Sequence, residues 1–110
     1  MMKIAMSPAA AAMLRALIAR AKVDRNRILL TDVESIDWRS LTFTGERHQI
    51  SVRVTGSDSE DVVQRMCAGL ADAEFSIPGI IVADIGVLGL PERKAGCTDV
   101  VIEALTISED

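Results

Sequence analysis

A strict two-residue alternation, His48, Ile50, Val52 and Val54 against Gln49, Ser51, Arg53 and Thr55, constrains this chain to a β-strand with one buried and one wet face. It closes the stretch DWRSLTFTGERHQISVRV (Asp37–Val54), which also holds the only tryptophan and the only histidine. On the preceding arm Leu41 and Phe43 alternate with threonines, and Gly45 is placed for a reversal. The stretch therefore reads as a β-hairpin turning near Gly45.

Around this hairpin the rest of the chain falls into order. Ser7-Pro8 is a helix start, because the hydroxyl can accept a free backbone N–H and proline lacks a donor that the first turn leaves idle anyway. A first helix is expected to about Lys22, with Ala11, Leu14, Ile18 and Ala21 as its apolar stripe and Leu17 beside it. A strand from Ile28 to Ile36 should follow, with a bend or bulge at Asp37-Trp38 before the Leu41–Thr44 arm. After Gly56-Ser57-Asp58-Ser59 a second helix is expected to about Glu74, on the stripe Val63, Met66, Cys67, Leu70 and Ala73. Pro78-Gly79 breaks the chain, and IIVADIGVL (Ile80–Leu88) is apolar enough for a strand covered on much of both faces. Pro91–Cys97 reads as a polar loop. The last strand, Asp99–Ser108, sets Val100, Ile102 and Ala104 against Val101, Glu103, Leu105 and Ile107.

Laid over itself at an offset of 52, the chain pairs Ala11, Leu14, Ile18 and Ala21 with Val63, Met66, Leu70 and Ala73, and ILLTDVESI with IIVADIGVL. Both halves read helix-strand-strand. The fold class expected is α+β, a two-layer αββαββ arrangement with two helices on one face of a four-stranded, mainly antiparallel sheet. That leaves the other face to solvent or a partner, with Val101, Leu105 and Ile107 on it, and apolar groups so placed point to association.

At 110 residues the chain is one domain, residues 1–110, with 1–6 read as a flexible N-terminus. No apolar run approaches the ~18 residues of a membrane span, so no membrane partner is expected. The opening MMKIAMSPAAAAMLRALIARA sets Lys3 ahead of an apolar run, and Ala19-Arg20-Ala21 mimics a cleavage site. Pro8 and Arg15 interrupt that run, and helical periodicity accounts for it better than an export signal, which places the protein in the cytoplasm. Residues 1–27 carry six basic groups and one acid, the remainder six and fifteen. Arg15, Arg20, Lys22, Arg25 and Arg27 read as the solvated face and end of the first helix. Cys67 and Cys97 have no framework or metal-ligand spacing, and Cys67 reads as inert packing.

Catalytic chemistry finds little to stand on. His48 has no nucleophile at a recognisable spacing and no second imidazole to share a metal. Asp32 and Asp84 are matched carboxylates in apolar strands, read as charges that discourage edge pairing rather than as an acid–base pair. Gly79, Gly86 and Gly89 follow no phosphate-loop order. With Trp38, Phe43 and Phe75 as the only aromatics, a stacking platform for single-stranded nucleic acid is not expected, nor is sequence-specific nucleic acid binding. No enzyme, metal or cofactor is expected.

Asp37-Trp38-Arg39-Ser40, a short spacer, then Gly45-Glu46-Arg47-His48 leading into an alternating strand resembles the tail-completion (tail-terminator, head-tail joining) proteins of long-tailed phages and of phage-like gene transfer agents. The second half agrees in its amphipathic helix, Pro78-Gly79, apolar strand, charged turn and final strand, so the likeness covers roughly residues 28 to 108. It implies a non-enzymatic structural subunit forming a homo-oligomeric ring, commonly a hexamer, that caps the tail tube at the head-tail junction and meets tail-tube and head-connector proteins. The expected interface residues are Trp38, Arg47 and His48 of the hairpin and Val101, Leu105 and Ile107 of the last strand. Many members have a longer loop before the first strand, where this chain has only Val23–Arg27. The alternative from another class is a small ligand-binding or protein-interaction regulatory domain acting as a homodimer. A platform domain of pilus or secretion systems matches in element order but would require a membrane anchor.

Overall fold

The computed structural model describes residues 5–109, ordered as α1 (Pro8–Ala21), β1 (Ile28–Arg39), β2 (Thr44–Thr55), α2 (Ser59–Cys67), β3 (Ile80–Val87), β4 (Glu92–Lys94) and β5 (Cys97–Ser108). The strands form one antiparallel sheet in the order β1-β2-β5-β3. Both helices lie on one face of it, an α+β two-layer arrangement. The fourth strand of the expected sheet is split. β3 and β4 pair successive stretches of the same edge of β5, so part of the segment read as a polar loop is a short strand. The expectation of a flexible N-terminus at 1–6 falls partly outside the described residues; Ala5 and Met6 precede the helix without regular structure.

Local chemistry sets the helix ends. The Ser7 hydroxyl accepts from the Ala10 N–H at 3.1 Å, Pro8 takes the first helical position, and Lys22 closes α1 in the left-handed region. The buried stripe of α1 is Ala10, Met13, Leu17 and Ala21, with Ala11, Leu14 and Ile18 only half-buried beside it. Helix α2 stops at Cys67 rather than Glu74, because Ala68 turns extended and Gly69 goes left-handed. A single 3₁₀ turn then returns Leu70 to the core. Ala73 is half-buried in the connection that follows.

The C-terminal ends of the two helices meet, an arrangement that places two sets of free carbonyls and two negative dipole ends together. Two arginines answer them reciprocally. Arg20 of α1 donates to the Met66 carbonyl at 2.9 Å and to that of Ala68, while Arg65 of α2 donates to the Ala21 carbonyl at 2.8 Å. Arg27 donates to the Thr55 carbonyl at 2.9 Å and pairs with Asp58, pulling that carboxyl below its usual range. Arg20 and Arg27 are therefore spent inside the fold, and Arg15, Lys22 and Arg25 remain as the solvated basic groups.

The hairpin differs from its expected form. β1 runs unbroken from Ile28 to Arg39 with its bulge at Thr31, not at Asp37-Trp38. The turn is Ser40–Phe43, closed by the Ser40 N–H donating to the Phe43 carbonyl at 2.8 Å and the Phe43 N–H to the Ser40 hydroxyl at 3.0 Å. Gly45 lies in β2 opposite Trp38. Its role is close approach, since a Cβ there would stand 2.0 Å from the Thr106 carbonyl oxygen.

The internal repeat shows in the bulges. β1 bulges at Thr31 and β3 at Ala83, the same place 52 residues on, each one residue ahead of an aspartate. Unbroken alternation from Ile28 or Ile80 would turn Asp32 and Asp84 into the core. The extra residue turns both out. The buried stripes Ala10-Met13-Leu17 and Val63-Met66-Leu70 correspond at 53, one residue from the strand offset, which is why pairing the helices at 52 selects a neighbouring stripe on α1. Ile50, Val52, Val54, Val100, Ile102 and Ala104 meet these stripes and close the core.

Candidate interaction surface

Register assigns each strand residue to a face, because directly opposed residues of antiparallel strands share one. The face away from the helices carries rows that run across the sheet. One end row is Trp38, Gly45, Ile107 and Ile81, and the next is Ile36, Arg47, Leu105 and Asp84. The middle rows are Glu34, Gln49, Glu103 and Gly86, then Asp32, Ser51 and Val101. Leu29, Arg53 and Asp99 close the far end. The open face is thus apolar at the hairpin end, acidic across its middle and ion-paired at the other end.

At the apolar end Ile36 is 56% exposed and Ile81 47%, while Trp38, Leu105 and Ile107 are half-buried. The indole of Trp38 lies over Gly45, its Nε1 is buried, and that donor has no hydrogen-bond partner among the described residues. Leu41 and Phe43 of the turn are exposed beside this end. At the far end Asp99 accepts from Arg53 Nε at 2.7 Å and lies 2.9 Å from Lys94 Nζ. The hydrogen bond from Arg53, then that from Lys94, holds this carboxyl well below the usual carboxylate range.

Five of the six expected interface residues, Trp38, Arg47, Val101, Leu105 and Ile107, lie on this face. His48 does not. It points to the helix side with 0% exposure, so its assignment to an interface is corrected: alternation puts it in line with Ile50 and Val52. Its Nδ1 is 2.7 Å from the Ser35 hydroxyl and its Nε2 2.9 Å from that of Thr106. Thr106 in turn donates to the Glu46 carbonyl at 3.4 Å, which makes Nε2 the protonated nitrogen and Ser35 the donor to Nδ1. Burial lowers the pKa of His48, opposed by Glu46. Ile36 and Ile81 belong to the surface but escape sequence reading, since their outward direction depends on the two bulges.

The remaining concavities are shallow. A crevice of about 290 Å³ between α2 and β4 is lined by Glu60, Val63, Gln64, Leu90, Pro91, Arg93 and Thr98, and an ion pair between Arg93 and Glu60 crosses it. Among the described residues no three His, Cys, Asp or Glu side chains are grouped to hold a metal, and no helix is long and apolar enough to cross a membrane. Burial raises the pKa of Cys67, opposed by Arg20, and the thiol packs against the core.

The fold and its surface define a class, a two-layer α+β domain with one sheet face uncovered. Beyond that class comparison adds nothing, for no family model matches the chain and neither a curated protein nor a solved structure matches it.

Proposed function

We propose that the chain is a non-enzymatic structural subunit that assembles with copies of itself through its open sheet face, forming a cytoplasmically built ring of the kind its resemblance to tail-completion proteins implies. The observation that carries this reading is the apolar end of that face, with Ile36 and Ile81 exposed and Leu105 and Ile107 half-buried, which no element among the described residues covers. Ordered assembly is the use to which such a surface is put.

The acidic middle rows favour a ring over the compact homodimer. Two copies stacked face to face with their middle rows superposed would bring Asp32, Glu34 and Glu103 near their equivalents, with Arg47 and Arg53 only in the flanking rows. A head-to-tail contact that uses only the apolar end avoids this. Light scattering on the purified chain tests the reading, and a mass of several copies with rings in negative stain is the expected result. A monomer at high concentration overturns it. Capsid, portal and tail-tube genes beside this one would separate a phage-like particle from any other assembly.

A further inference from the structure

The sheet has two edges, and they are not alike. The β3–β4 edge is broken by the bulge at Ala83 and by the excursion Leu88–Pro91, which protects it from pairing with another strand. The β1 edge has its one bulge at Thr31 and runs regularly from Asp32 to Arg39, with every second backbone N–H and C=O facing outward without a strand partner among the described residues.

The outer end of that edge carries an unanswered charge pattern. Asp37 and Glu46 stand directly opposite one another on the same face, an arrangement that disfavours the hairpin by like-charge repulsion. Among the described residues neither carboxylate forms an ion pair, and Arg39, two positions along the same face of β1, forms none either. Within one strand Asp37 and Arg39 point the same way but are not paired across a ladder. A second strand laid antiparallel can pair them.

We propose that two copies of this chain join by antiparallel pairing of their β1 edges about a two-fold axis at Trp38, so that Asp37 of each faces Arg39 of the other. This register follows from charge. Centring the axis on Asp37 would set acid against acid, and centring it on Arg39 would set arginine against arginine. Centring it on Ile36 would face Arg39 with Val33. Only the axis at Trp38 gives two ion pairs, and it brings cations beside the repelling Asp37–Glu46 pairs. It also gathers the exposed Ile36, Leu41 and Phe43 of both copies around the axis. The proposal rests on the reading of the chain as a self-assembling subunit and specifies one of its contacts. Combined with the head-to-tail contact of a ring, such pairs would join two rings back to back, and the apolar end at Leu105 and Ile107 lies apart from the β1 edge to make that second contact.

In an antiparallel ladder the residue on the two-fold axis faces itself with Cα atoms ~4.5–5.5 Å apart, within reach of a disulfide. In full-length chain carrying Cys67→Ser and Cys97→Ser, Trp38→Cys should therefore crosslink to a dimer under mild oxidation, and Asp32→Cys should not. Because Trp38 also covers Gly45, a second set of variants stands beside it. Asp37→Arg and Arg39→Asp should each weaken pairing at least tenfold, and the double exchange Asp37→Arg/Arg39→Asp should restore it. Crosslinking at Asp32→Cys in place of Trp38→Cys overturns the register, and an assembly whose mass and concentration dependence ignore both single charge variants overturns the contact while leaving self-assembly intact. A wild-type chain that is monomeric throughout removes the self-assembly reading and this contact together.

Discussion

Two residues hold the outer end of the hairpin, and each constrains the molecule differently. Gly45 is required for want of space, since its would-be Cβ falls 2.0 Å from backbone oxygen rather than from the yielding end of a side chain. Gly45→Ala should therefore displace β2 from β5 and destabilise the protein by about 1–3 kcal/mol, read as a lower urea midpoint at unchanged slope. A midpoint equal to wild type would mean that the two strands separate without strain. His48 is bound by chemistry. Buried and held between Ser35 and Thr106, it is favoured in the neutral form, with its folded-state pKa below the ordinary value of 6.5. Above about 6.5 the ring is neutral in both folded and unfolded chains, and its contribution is fully present. As pH falls through the folded-state pKa the unfolded chain holds more protons, and stability is lost. The urea midpoint should fall between pH 7.5 and 5.5, and His48→Gln should flatten this dependence without abolishing folding. A variant with the full wild-type slope would assign the effect to other groups.

At the scale of elements, the reciprocal arginines are what let the helices converge at their C-terminal ends. A hydrogen bond to a charged donor contributes about 1.5–3 kcal/mol, and a cation at a dipole's negative end adds some tenths more. Partial exposure brings the expected cost of Arg20→Ala or Arg65→Ala to about 1–2 kcal/mol each, with Arg15→Ala, on the solvated face of α1, near zero. Denaturation of the three variants checks the order. Much of this layer was legible beforehand: the Ser7-Pro8 cap, the alternation of β2 and β5, the αββαββ order and the outward direction of Val101, Leu105 and Ile107. What was not legible has physical reasons. An alanine-rich helix offers little contrast between adjacent stripes, so Ala10-Met13-Leu17 reads no better than Ala11-Leu14-Ile18. A bulge is a local matter of one residue, and nothing in ILLTDVESI marks Thr31 except the aspartate after it that must be kept out of the core. Gly45 resembles a turn residue to any propensity argument, because the close approach of Thr106 comes from β5, far along the chain. His48 alternates with Ile50 and Val52, which already sets it on the buried face, whereas the resemblance sets it at an interface; the structure decides for burial.

For the whole molecule, the question is which of its surfaces join copies together. The helices cover the middle of one face, as the burial of Ile50, Val52, Val54, Val100, Ile102 and Ala104 requires, while Asp37, Arg39 and Thr44 at the hairpin end of that face stay exposed, so further association falls to the open face, the hairpin end and the edges. If the β1 edges join copies in pairs and the apolar end of the open face links those pairs into a closed assembly, the two contacts can be removed separately. Leu105 is the point at which to cut the second. It sits between Arg47 and Asp84 in the row beside Ile107, half-buried already, and its side chain makes no contribution to the helix-side core. Leu105→Glu leaves a solvated carboxylate in the free subunit, so folding should be nearly unaffected, yet it places an uncompensated charge inside the contact, at a cost of about 3–5 kcal/mol per interface. That is enough to lower an association constant a thousandfold. Light scattering should show the full assembly for wild type, two copies for Leu105→Glu, and one copy when Asp37→Arg is added. Equal masses for wild type and Leu105→Glu would remove the open face from the interface, and a direct fall of Leu105→Glu to single chains would show that the β1 edges do not hold a pair by themselves.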